Sequence, residues 1–242
     1  MNRRIAVILA GTAGTAAILA TVGGSSADAA SHAASHRHAT HATHVAHLVI
    51  KGATHNIRQE VARVGHLQTR VARSHGLNDA DKAALQAALT ADRSALGDDL
   101  TALGTATTRA QVRGIVASAH RTADLAGRQV IVVVASDKVQ ARAATDAATL
   151  TDLTSQVNAA ALLGSDVTAE LALLADLQAQ LTTATTDAAA AVTTILAVAP
   201  DASSSAVRSA FHAAHVSLDA ARTALDTAEA DAAAVVLALA LA

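Results

Sequence analysis

Near the C-terminus, Phe211, Leu218, Leu225, Ala232 and Leu239 recur every seven residues, and Val207, Ala214, Ala221, Ala228 and Val235 recur in step between them. A seven-residue repeat with large residues at one position and small ones at the other is a seam for helices packed side by side along their length. A chain that carries it is committed to helices that approach closely. The rest of the sequence agrees: 52% of the residues are hydrophobic, but Phe 1, Trp 0 and Tyr 0 leave alanine, valine and leucine to fill the interior. Small fillers suit a long, thin core rather than a thick one. No alternation of helical and strand patterns appears, so the expected fold is all-α, an elongated antiparallel, coiled-coil-like helical bundle.

The N-terminus has a separate character. Arg3 and Arg4 precede an apolar run from Ile5 to Val22, followed by small and polar residues and the Ala27-Asp28-Ala29 triplet. This is the layout of a secretory signal peptide spanning 1–29, with cleavage before Ala30 and retention as an anchor as the alternative. The expected location is secreted or extracytoplasmic, with cell-wall association as an option. Cys 0 excludes disulfides, a thiol nucleophile and thiolate metal ligands.

Residues 30–43 are almost all Ala, Ser, Thr and His with no larger apolar side chain, and read as a flexible tail or the frayed start of a helix. From 44 to 242 helical periods predict five helices at about 44–75, 79–103, 108–163, 167–198 and 204–240. Gly76, Gly104 and Gly164 are expected to close helices, and Asn78, Thr107 or Thr108, and Ser165 or Asp166 to start them. Pro200, the only proline, ends the fourth. The β-branched run Val130 to Val134 favours a strand locally. No second run exists to pair with it, so it reads as buried helix, with a break near 125–136 as the alternative.

Charge is asymmetric. Ala30 to Arg142 holds 14 Lys/Arg against 8 Asp/Glu, and Ala143 to Ala242 holds 2 against 11, so the halves carry +6 and −9. Ten of the 12 histidines lie in the basic half. Either basic and acidic helices pack together and neutralise one another, or a cationic end faces an anionic partner.

Three stretches, LNDADKAALQAAL from Leu77, GSDVTAELALLADLQAQL from Gly164 and LDAARTALDTAEAD from Leu218, together resemble an uncharacterised family of secreted, alanine-rich helical proteins of high-GC Gram-positive bacteria. The resemblance covers most of the chain beyond the signal and implies a helical fold and a secreted location, with no activity attached. Members typically carry a Tyr-Arg pair with nearby aromatics in the middle region. Here His120-Arg121 stands at that place and the aromatics are missing.

Candidate chemistry is sparse. His38, His41, His44 and His47 fall three apart within a longer histidine tract. On a helix such neighbours can share a divalent ion, with zinc, copper or nickel the suitable guests, although the series drifts around the helix instead of closing a cage. A solvated tail that titrates near pH 6.5 is the plainer reading, and no cofactor is otherwise expected. His212, His215 and Asp219 share a face with Arg222 and Asp226 that reads as a solvated polar stripe. Lys51, Arg58, Arg63, Arg70 and Arg73 share the first helix with Glu60 as its sole acid, a pattern that suits an anionic surface. Nucleic acid is not expected, because no aromatic platform accompanies the charge, and membrane contact is not expected beyond the signal. Catalytic motifs are missing, and the adjacent Asp98 and Asp99 point apart. The expected function is therefore a non-catalytic secreted or envelope-associated bundle acting on a protein partner or an anionic envelope surface, self-association included. The alternatives are an extracytoplasmic metal binder and a cationic binder of wall polymer or lipid.

Overall fold

Alanine has the highest helix propensity of any residue, and alanine-rich segments between well-formed caps give long helices. A computed structural model describes the backbone of residues 28–241 and the side chains of residues 49–240. Its regular elements are all α-helices: α1 (Asp28–Arg73), α2 (Asp79–Thr105), α3 (Arg109–Leu162), α4 (Thr168–Leu196) and α5 (Ser204–Leu241). The expected signal, apart from its last two residues, lies outside the described residues. The chain divides between Val45 and Ala46, and the bundle is the unit Ala46–Ala242. The backbone of residues 30–43, expected as a flexible tail, is helical within α1. Its alanines form helix without needing a large apolar partner.

Helix α3 is the spine. At 1.5 Å per residue its 54 residues span about 80 Å, and different helices cover its two halves. Ile57, Val64 and Val71 of α1 and Leu85, Leu89, Leu96 and Leu103 of α2 form one buried cluster with Val112, Ala119, Ala123, Ala126, Val130 and Val133 of α3. Toward the other end, α3 supplies Val139 and Ala143, then Leu153 and Val157, to clusters built with α4 and α5. The two coverings overlap in the middle. Val192 of α4 joins the α1/α2 cluster, and Val132 packs with Ala191 and Ile195 of α4 and Ala214 and Leu218 of α5.

The overlap explains the run Val130 to Val134. A helix with neighbours on most sides is hydrophobic most of the way round, and here Val130, Val132 and Val133 are buried while Ile131 is 56% exposed. The helix is unbroken through 125–136. Close approach depends on the small residues: Ala184, Ala188, Ala191, Ala214 and Ala221 are each fully buried. On α4, Leu171 is 46% exposed and Leu177 is buried at 1%. Phe211 is only half-buried, at the rim of its cluster.

The caps match the sequence in part. The Asn78 side chain accepts from the Asp81 amide (2.9 Å), and Thr108 forms a capping box with Gln111. At the end of α3 the Ser165 amide donates to the Ala160 carbonyl and the Gly164 amide to that of Ala161, a Schellman closure with Gly164 at φ 92°. Gly76 and Gly104 do not act this way. Helix α1 has already ended at Arg73, where Lys82 Nζ donates to the Ser74 carbonyl (2.8 Å), and Gly104 lies inside α2.

Several polar groups are buried along the spine. Thr122 donates to the Pro200 carbonyl (3.2 Å) and Ser136 to the Ala188 carbonyl (2.9 Å), tying α3 to the connection after α4 and to the body of α4. Asp137 accepts from the Asn78 side chain (2.6 Å) and amide (3.2 Å), fixing the start of α2 against α3. Asp92 is 1% exposed, and its Oδ2 has no hydrogen-bond partner.

Burial raises the Asp92 carboxyl to about 7. It also raises that of Asp137, which faces Asp81 as well, to about 6. Each group holds its proton more tightly folded than unfolded. The stability this contributes is complete below the unfolded value near 3.9 and is lost as pH rises through the folded values. Thermal stability is therefore expected to fall between about pH 4 and pH 7. Asp92→Asn should stabilise by roughly 2–4 kcal/mol at pH 8 and by less at pH 5, read by denaturant titration at both pH values. At the small-residue seam, Ala221→Leu should cost about 1–3 kcal/mol, since an alanine contact leaves no room for three added carbon atoms.

Candidate functional site: a cationic groove along α3

Arg121, Asp124, Arg128, Ile131, Ala135, Lys138 and Arg142 follow one another at spacings of three or four, and so form one stripe along α3. The stripe floors a groove between α1 and α5. In one cavity of about 480 Å³, Arg70 of α1 faces Arg222 and Leu225 of α5 across Val130, Ile131, Val134, Lys138 and Arg142 of α3. A recess of about 210 Å³ at the start of α5 adds Arg121, Asp124, Arg128 and Arg208. On the α1 side, a further recess of about 480 Å³ holds Arg63, His66, Leu67 and Arg70. Three helices thus direct cations at one channel with an apolar strip in its floor.

The acids around it are committed. Glu60 meets His120 Nδ1 at 2.9 Å and Arg63 at 3.5 Å, and Asp124 lies 3.9 Å from Arg63. Arg142 donates to Glu229 (2.7 Å) and Asp226 (2.9 Å), which together hold its guanidinium above the usual value, Glu229 foremost. Arg222 pairs with Asp219 at 2.8 Å. Arg128 lies 4.5 Å over the Phe211 ring, whose other neighbour is His215. Among the described residues, Arg70 and Lys138 have no carboxylate within ion-pair reach. Of these pairs, only those of Arg142 join the basic half to the acidic half. At the groove the acidic half thus neutralises Arg142 and Arg222, and Arg70 and Lys138 are the cations left without such a partner among the described residues.

The sequence-level candidates lie elsewhere or do not converge. His38, His41, His44 and His47 sit on the helical backbone of α1, and their side chains lie outside the described residues. Among the described residues no three His, Asp or Glu side chains gather to hold a metal. His212 and Asp219 are exposed, and His215 packs on Phe211. The carboxyls raised by burial, Asp92, Asp99, Asp137 and Asp146, do not line the groove. The basic side chains of α1 are exposed as expected, and Arg63 and Arg70 line the groove. Arg222, expected on a solvated polar stripe, lines the cavity, and the α3 cations join it without having been singled out by the sequence. Their signal was the spacing of Arg121, Arg128, Lys138 and Arg142, which the valine run between them obscured.

Arg142→Gln should lower stability by no more than about 1 kcal/mol, with the loss vanishing at 0.5 M NaCl, because exposed ion pairs are weak and screened. Denaturant melts at two salt concentrations measure it. No family model matches the chain, and no similar curated protein or solved structure was found.

Proposed function

We propose that this is a non-catalytic, extracytoplasmic helical bundle that works by contact, and that its contact surface is the cationic groove along α3, receiving an anionic polymer of the cell envelope. One observation carries this reading. Cations from α1, α3 and α5 converge on one cavity, and two of them, Arg70 and Lys138, have no carboxylate partner among the described residues. The signal-like N-terminus and the resemblance to a secreted helical family support the location. The arrangement also supports a binding role over chemistry, since the protonatable carboxyls with altered acidity lie in the helix packing and not in the channel.

Co-sedimentation of the purified chain with isolated cell walls tests the reading. Binding is expected at 50 mM NaCl and should be lost by about 0.5 M, where the Debye length is only a few ångströms. The double variant Arg70→Glu/Lys138→Glu should bind at least tenfold more weakly at low salt. Wild-type binding that ignores salt, or a double variant that binds normally, would overturn it.

A further inference from the structure

The cavity between Arg70 and Leu225 has a feature that a purely ionic partner does not require. Its floor is apolar, and Ile131 stands 56% exposed in it beside Val130, Val134 and Leu225. Two cations at its edges, Arg70 from α1 and Lys138 from α3, have no carboxylate partner among the described residues. The remaining two, Arg142 and Arg222, are held on the α5 side by Asp226, Glu229 and Asp219. We propose that this cavity binds a single-chain anionic amphiphile of the fatty-acid type, its headgroup between Arg70 and Lys138 and its chain lying on Ile131. The inference rests on the contact reading above and names a ligand class for part of the same groove.

Size and chemistry both select this class. A volume of about 480 Å³ falls within the range of roughly 300–1,000 Å³ typical of small-molecule clefts, in which apolar walls supply area and a few polar groups fix orientation. A simple anion would leave Ile131 in water, and a neutral chain would leave Arg70 and Lys138 without a counter-charge. An amphiphile satisfies both, because burying apolar surface and pairing the two cations occur in one pose.

Calorimetric titration of the purified chain with dodecanoate, below its micelle concentration, tests this against acetate and dodecyltrimethylammonium. Saturable one-to-one binding at micromolar concentration is expected for dodecanoate alone. Ile131→Glu, a change at an exposed position, should weaken dodecanoate at least tenfold. Arg70→Glu/Lys138→Glu should weaken dodecanoate binding and cell-wall sedimentation alike. Absence of saturable binding, equal binding of the cationic amphiphile, or indifference to Ile131→Glu would each overturn the assignment. If wall binding persists in those cases, only the amphiphile site falls. If wall binding is also absent, the contact reading falls with it. Circular dichroism confirms that each variant remains helical.

Discussion

Close helix approach through alanine is the interaction on which the rest of the molecule depends. With a single aromatic residue in the chain, no large side chain bridges wide gaps, and the bundle gains its contacts by bringing backbones together at Ala184, Ala188, Ala191, Ala214 and Ala221. Those alanines bring α4 and α5 onto the middle of α3, whose own Ala119, Ala123 and Ala126 receive the larger side chains of α1 and α2. The same close approach lets the hydroxyls of Thr122 and Ser136 find carbonyls on the neighbouring segment, so buried polar groups become ties between helices. Asp92 is the exception, unpartnered at one carboxylate oxygen and held toward its neutral form.

The outer faces follow a different rule. Many exposed threonines, such as Thr101, Thr145, Thr151, Thr182 and Thr193, donate to the carbonyl four residues back, so the hydroxyl is satisfied locally and the surface carries little charge. Against that background the cations of the groove stand out. Two of them are held in fixed pairs by acids of α5, while Arg70 and Lys138 have no such partner among the described residues.

Much of the architecture was legible in the sequence, because heptads, caps and breakers are local signals. The Asn78 and Thr108 starts, the Gly164 closure and the final seam all appear where the pattern puts them. What was not legible depends on distant residues. That Asp137 receives Asn78, or that Phe211 ends under Arg128, follows from register between helices, which no local pattern encodes. The valine run was ambiguous for the same reason, since strand and fully surrounded helix share a composition until the neighbours are counted. The groove was half legible: α1 announced its basic face, while the α3 stripe becomes a wall only once α5 is laid beside it.

The shared spine places a limit on how such a chain can change length. Adding one residue to a helix turns everything beyond it by about 100°. An insertion between Thr122 and Ala143 would therefore rotate the face that meets α4 and α5 away from the face that meets α1 and α2, and no loop intervenes to absorb the error. Only a whole heptad would restore the phase, and it would also slide the two coverings apart by about 10 Å, at 1.5 Å per residue. The connections at 74–78, 163–167 and 197–203 carry no such penalty. Length variation in this architecture belongs at its ends, while the middle of α3 is fixed to the residue.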